Sequence, residues 1–392
     1  MRILYLADWG IHSGIGKVTR YMVAGLRKRG FEVAVVSPYM AVSPFVQDGV
    51  KIYPGMVLDE RSVDRILGDF EPDVLVIHMP CHSGPWSAIS KIFASKGVRI
   101  LWYLPLEFSR VNFKYVEKLL WTNLIAVPSR FALEVLGAHI PSDHLAWVPH
   151  GVDFEVFKPS GERRRDASGR LFVYLTVAAN TFRKDFPTLL KAFSSADREV
   201  RSNSVLKLCT SLAPTGVARA YWDIVGLQMS LDADLPVEIL DVDPIWGMSE
   251  EELAELYRSS DCYVQISAGE GFCLPVLEAM ACGLPVIASE NTALVELVEG
   301  AGILVKSIAS FTTSEGWELR RTDVMELTVA MEAVFRDAEL RRKLGERGVE
   351  KAREYSWDKA CDKMAEAIER CMWSERLRPK LMKAELLSSK GN

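Results

Sequence analysis

The stretch "EGFCLPVLEAMACGLPVIAS", residues 270–289, sets two glutamates around a glycine, a proline and an apolar run, then closes on a second Gly and Pro. The "DCYVQIS" before it reads as a buried strand, and "AGEGFC" as the loop leaving that strand's carboxyl end. "LPVLEAMAC" reads as a helix that Gly283 ends before the next strand, "PVIAS". Pro275 is expected at the first helical position, where its missing N–H is harmless. The amides from Gly271 to Leu277, Pro275 excepted, lack a carbonyl four residues back, and with the helix dipole they predict an anion site, most simply for a phosphate. Yet Glu270 and Glu278 flank that spot, and a carboxylate repels a phosphate. The conflict disappears for a ligand with phosphates in its middle and hydroxyl-rich groups at both ends, because a carboxylate accepts bonds from adjacent hydroxyls. A nucleotide sugar has that shape, with Glu278 on the ribose and Glu270 on the sugar. Taken alone, the two acids also have a plainer reading: Glu278 stabilises the dipole in a first helical turn and Glu270 is a solvated loop residue.

Outward from this stretch, short Val/Ile/Leu-rich runs recur between segments of helical period. They are "RILYLA", "EVAVVS", "DVLVIH", "VRILWYL", "NLIAVPS" and "LAWVPH", then "LFVYLTV", "VLKLCT", "VEIL", "CYVQIS", "PVIAS" and "GILV". Such alternation specifies α/β architecture, with parallel sheets covered by helices on both faces. Residues 150–170, "HGVDFEVFKPSGERRRDASGR", interrupt it with Gly, Pro, Ser and charge and read as a domain linker. Each half then has strands for its own doubly wound sheet, with a ligand crevice beyond the strands' carboxyl ends. Near the end, "SWDKACDKMAEAIERCMW" spaces Trp357, Cys361, Met364, Ile368 and Cys371 as one apolar helix face.

Composition narrows the function classes. The 392 residues, 49% hydrophobic and 25% charged, are ordinary globular material for two domains. A net charge of -5 without long single-sign runs argues against nucleic acid as a partner. Seven scattered cysteines, never in a C-x-x-C pair, indicate neither a disulfide framework nor a zinc site and fit a reducing cytoplasm. No window reaches the roughly 18 apolar residues that span a bilayer, so membrane contact is expected to be peripheral at most.

The pattern E-G-F-x-L-P-x-x-E-A-M-A-x-G-x-P-V-I-A resembles the paired-glutamate motif of retaining glycosyltransferases of the GT4 type. "VPSRFALEVL" with "LAWVPHGVDFEVFKP", then "RKDFPTLLKAF", "EELAELYRSSDCYVQISAGEGF" and "LVEGAGILV", follow in the family's order. The resemblance implies a GT-B fold, two Rossmann-like domains facing each other across a cleft. Residues 1–158 would form the acceptor-side domain, 159–355 the nucleotide-sugar domain, and 356–392 a helical segment packing back on the first. It implies hexose transfer from a UDP- or GDP-sugar to a hydroxyl acceptor, with no cofactor and no metal. Glu270, Lys184 and Arg183 would be catalytic. Glu278, Gly271, Phe272, Cys273, Leu274, Gly14 and Gly16 would hold the nucleotide sugar. A non-catalytic subunit, or a nucleotide-sugar hydrolase or phosphorylase, on the same fold is the alternative.

The remaining candidates are weighed beside that resemblance. "ADWGIHSGIGKVTR" is a Gly-rich strand-to-helix loop, but Gly10, Gly14 and Gly16 miss the dinucleotide-binding spacing. Lys184 matches the family lysine; Arg183 substitutes for an arginine that many members carry several residues earlier, where this chain has "AAN". Glu107, in "LWYLPLEFSR", is an acceptor-side candidate at the end of a first-domain strand. His78 and His82 have the i, i+4 spacing of helical zinc ligands, but Pro80 between them argues against a metal site. Asp241 and Asp243 read as a strand-end turn. The motif departs from the family at Cys273, where a second glycine is commoner, and at Asn291-Thr292, where a Gly-Gly pair often stands.

Overall fold

In the computed structural model every apolar run named above forms a strand. The structure describes residues 1–39, 43–82, 84–160, 169–212, 221–243 and 247–378. Residues 161–168 of the expected linker and 379–392 of the expected C-terminal segment lie outside them. The chain divides into two compact units, one of Met1–Leu106, Arg110–Gly151 and the residues from Trp357, the other of Glu107–Ser109 and Val152–Ser356.

The first unit is built on β1 (Arg2–Leu6), β2 (Glu32–Ser37), β3 (Phe45–Gln47), β4 (Val50–Pro54), β5 (Val74–Ile77), β6 (Arg99–Tyr103), β7 (Leu124–Val127) and β8 (Leu145–Trp147). They form one sheet in the order β3-β4-β2-β1-β5-β6-β7-β8. Every pairing is parallel except β3 with β4. That pair, absent from the sequence expectation, is a hairpin closed by Asp48 and Gly49, both at positive φ (51° and 72°), the backbone a tight two-residue turn requires. The central strands are buried on both faces, which is why β1 and β5 read as unbroken apolar runs.

The helix Trp357–Trp373 belongs to this unit and buries the stripe Trp357, Cys361, Met364, Ile368 and Cys371. Trp357 stacks on Tyr21 of helix Gly14–Lys28 with ring centroids 4.5 Å apart, and Arg29 Nε donates to Asp362 Oδ1 at 2.8 Å. The approach is closest at Gly25, where a Cβ would lie 2.1 Å from Cys361 Sγ. Gly25→Ala is therefore expected to push the helices apart and destabilise the protein by about 1–3 kcal/mol, the usual scale of overpacking. Thermal unfolding reads this, and partial recovery in Gly25→Ala/Cys361→Gly would assign the loss to that contact.

The second unit carries β9 (Phe172–Val177), β10 (Ser204–Thr210), β11 (Val237–Asp241), β12 (Cys262–Gln265), β13 (Val286–Ser289) and β14 (Ile303–Val305), all parallel, in the order β11-β10-β9-β12-β13-β14. A hairpin of β15 (Ser307–Thr312) and β16 (Glu318–Thr322), also not expected, stands beside it as a separate two-stranded sheet. β15 has no buried residue and β16 buries only Leu319 and Thr322, so neither shows the buried apolar run by which the others are read.

Two boundaries differ from the sequence expectation. At the expected linker the change of unit falls after Gly151 rather than Lys158, because residues 152–157 are tied to the second unit. Val152 N–H donates to Tyr355 O at 3.2 Å, Arg258 to Val156 O at 3.2 Å, and Phe157 packs on Tyr257. Glu107, expected at a strand end of the first domain, follows β6 by several residues and groups with the second unit. Ser109 N–H donates to Glu318 O at 2.9 Å, Phe108 packs on Trp317, and Gly269 lies so close that a Cβ there would sit 1.9 Å from Glu107 O. Among the described residues no helix is long and apolar enough to cross a membrane.

Candidate active site

In the second unit β10 and β11 lie on one side of β9, and β12 to β14 on the other, so the strand order reverses between β9 and β12. Ligands of open parallel sheets bind beyond the carboxyl ends of the strands at such a point. Two loops meet there. One leaves β9 and carries Arg183 and Lys184 into helix Phe186–Ser195; the other leaves β12 and carries Glu270 into helix Leu274–Ala281. They are stitched together by their backbones, with Ala268 N–H donating to Arg183 O at 2.7 Å.

Glu270, only 3% exposed, is the hub. Its Oε1 receives the Lys184 ammonium, and its Oε2 accepts from Arg183 Nη1 at 2.6 Å. Gln265 Nε2 donates to Glu270 Oε1 at 3.4 Å, and Gln265 Oε1 accepts from the Tyr263 hydroxyl at 2.7 Å. Burial alone would raise the Glu270 pKa, but the charges of Arg183 and Lys184 outweigh it and hold the carboxyl down to about 2. The Arg183 fork bridges two carboxylates, meeting Glu107 Oε1 at 2.9 Å as well as Glu270. Burial would lower its pKa, but Glu107 and Glu270 raise it. Two cations thus stand against two carboxylates, with Lys184 and Glu270 buried and Arg183 and Glu107 partly exposed.

Helix Leu274–Ala281 begins one residue earlier than expected, which puts Pro275 at the second helical position. The Leu277 N–H, counted from the sequence among the unsatisfied amides, bonds to Cys273 O at 3.5 Å. Gly271, Phe272, Cys273 and Leu274 are buried along the loop and helix start, and Phe272 packs on the Tyr355 ring at 5.7 Å. Glu278 lies deeper in the helix, 2% exposed, and its Oε2 accepts from the Tyr257 hydroxyl at 3.1 Å. Two of the three positions where this chain departs from the glycine-rich family pattern have positive φ, Cys273 at 85° and Thr292 at 47°, whereas Asn291 is extended. Burial pushes the Cys273 thiol up to about 12, with the Glu270 charge adding to the effect, so it is not a thiolate nucleophile.

The other candidates lie on other segments of the chain. Gly14 and Gly16 open a helix of the first unit; a Cβ on Gly16 would lie 2.1 Å from Ile11 O, whereas Gly14 has open space around it. His78 is buried against Tyr103 in the first unit, and burial holds its pKa down to about 3. Asp241 accepts from Leu212 N–H at 2.8 Å. A groove of about 1130 Å³, lined by Arg170, Arg258, Arg341, Arg342 and Arg353, lies at the opposite, amino-terminal ends of β12 and β13. Its Arg170 pairs with Asp261, and Arg342 with Glu339 and Glu346. Gln265, Tyr263, Tyr257 and Thr292 join the site without having been singled out as site residues in the sequence. A β-branched residue at a position where glycine is common was the available signal for Thr292.

Residues 240–351 match the family described as glycosyl transferases group 1. Over 237 residues the chain is 31% identical to the MMP alpha-(1->4)-mannosyltransferase of Mycolicibacterium hassiacum, a match covering 60% of this chain and 51% of that one. The chain therefore spans about half the length of that relative. Among solved structures, sucrose-phosphate synthase from Thermosynechococcus elongatus superposes with a TM-score of 0.75 at 16% identity, covering 94% of this chain and 98% of that one. Anabaena Alr3699/HepE, solved in complex with UDP and glucose, superposes with a TM-score of 0.70 at 14% identity, covering 94% and 99%. Residues 240–351 thus carry the pattern of the glycosyl transferases group 1, and the chain as a whole carries the GT-B fold.

Proposed function

We propose that this protein is a retaining glycosyltransferase that moves a hexose from a UDP- or GDP-sugar to a hydroxyl acceptor without a metal or other cofactor. The observation that carries the reading is the buried Glu270 carboxylate set against Lys184 and Arg183 where the strand order reverses. A donor diphosphate at the start of helix Leu274–Ala281 would compete with Glu270 for both cations, leaving the carboxylate to accept from the sugar hydroxyls. As the glycosidic bond breaks, charge grows on the diphosphate, and Lys184, Arg183 and the helix-start amides stabilise it without reorganisation. Glu278, fixed by Tyr257, receives the ribose hydroxyls. The acceptor attacks from the face that the leaving group vacates, so the site contributes mainly positioning and electrostatics. The relative named as a mannosyltransferase and the neighbour bound to UDP and glucose support hexosyl transfer from a nucleoside-diphosphate donor.

Nucleoside diphosphate release from UDP-, GDP- and ADP-sugars, measured with and without hydroxyl acceptors, tests the reading. Acceptor-dependent release is expected. Release that ignores acceptor would mark a hydrolase, and none from any donor a non-catalytic subunit. Because side-chain cations and amides are assigned the phosphate charge, excess EDTA should leave most activity intact. Loss under EDTA, restored by Mn²⁺ or Mg²⁺, would contradict this.

A further inference from the structure

Thr292 is the first residue of helix Thr292–Val298, and its backbone stands at φ 47°. For a β-branched side chain that is a true outlier, since the left-handed region crowds Cβ against the backbone. Strain of this kind persists where the surroundings over-determine it. Here they do so through hydrogen bonds to one short segment. The Thr292 Oγ1 accepts from Glu270 N–H at 2.8 Å and donates to Asn291 Oδ1 at 3.1 Å. Asn291 Nδ2 in turn donates to Ser267 O at 2.9 Å, and Ala293 N–H reaches Glu270 O at 3.4 Å. The stretch from Ser267 to Glu270 is thus gripped at both ends by Asn291, Thr292 and Ala293. Asn291 and Thr292 are nearly fully buried, at 3% and 6% exposure.

We propose that Asn291 and Thr292 are positioning residues that fix the Glu270 carboxylate against its two cations, the strained Thr292 backbone being retained for the hydroxyl it presents to the Glu270 amide. A pair of glycines would relieve the strain and leave that amide without its side-chain partner. The functional consequence rests on the reading of Glu270 given above; the clamp itself does not.

Three variants separate the terms. Thr292→Val keeps the branched shape and loses the hydroxyl, Thr292→Ser keeps the hydroxyl, and Thr292→Gly loses the hydroxyl and the strain together. In Thr292→Val, kcat should fall about 10-fold at unchanged donor KM, because a site loosened by a fraction of an ångström loses rate before affinity. Thr292→Ser should stay within about twofold of wild type. In Thr292→Gly the strain relieved and the buried bond lost are of similar size, so the melting temperature should stay close to wild type while kcat falls. Amide hydrogen exchange at Glu270 should be faster in Thr292→Val and Thr292→Gly and unchanged in Thr292→Ser. Full activity in Thr292→Val, or failure of Thr292→Ser to restore kcat, would overturn the inference. If wild type released no nucleoside diphosphate from any donor, the function would be refuted, and the exchange measurement would still decide the clamp, with protection at Glu270 unaltered in Thr292→Val counting against it.

Discussion

Glu270→Gln and Lys184→Ala are each expected to lower kcat by about 10² to 10³, the scale found on removing one preorganised electrostatic group from an active site. Glu270 would act on the sugar and Lys184 on the departing diphosphate, both where charge and geometry change most. The two variants should differ in binding. Glu270 engages Lys184 and Arg183 in this structure, so Gln at 270 frees Lys184, leaves Arg183 paired with Glu107 alone, and should leave nucleoside diphosphate affinity equal or tighter. Lys184→Ala should weaken it. Stability follows a separate sign. The Glu270 carboxyl is held at about 2 against an ordinary value of 4.5, so its stabilising contribution is present above about pH 4.5 and lost as pH falls toward about 2. Gln cannot titrate. The acid limb of the stability curve should therefore be shallower in Glu270→Gln across that window, and a limb identical to wild type would show that Glu270 is not held by these cations.

Glu278→Ala should act on the other end of the donor. Ribose bonds exist equally in ground and transition states, so the loss of roughly 1.5–3 kcal/mol for a charged hydrogen bond should appear as an increase in donor KM with turnover preserved. Tyr257→Phe should move in the same direction and less far, since it removes only the hydroxyl that holds the Glu278 carboxylate. Donor-saturated kinetics on these variants check both. A fall in kcat at unchanged KM for Glu278→Ala would exchange the assigned ends of the ligand.

The parallel strands and the Glu270 loop were legible because buried strands and helix starts are local signals, written in consecutive residues such as "CYVQIS" and "LPVLEAMAC". The β3–β4 hairpin was also written, in Asp48-Gly49, but its three-residue first strand is too short to show a period. What could not be read was which distant groups meet. Arg183 was expected as a catalytic cation, and in the fold its fork spans Glu107 and Glu270, from segments far apart in the chain. Glu107 itself was placed by the apolar run before it, whereas Phe108 and Ser109, through Trp317 and Glu318, decide which unit takes it. Tyr257 reaches Glu278 from a neighbouring helix, a pairing that no spacing within either helix announces. Thr292 was visible as a departure from a glycine pattern, but its bond to Glu270 needs the closed sheet to exist.

Calorimetric titration of UDP and GDP into wild type, Lys184→Ala, Glu278→Ala and Glu270→Gln tests the central claim most directly, that one nucleoside diphosphate lies between these side chains. The account predicts that wild type binds one of the two, that Lys184→Ala and Glu278→Ala each bind it about 10-fold or more weakly, and that Glu270→Gln binds it at least as well as wild type. Equal affinity in all four proteins, or loss of binding in Glu270→Gln alone, would contradict it.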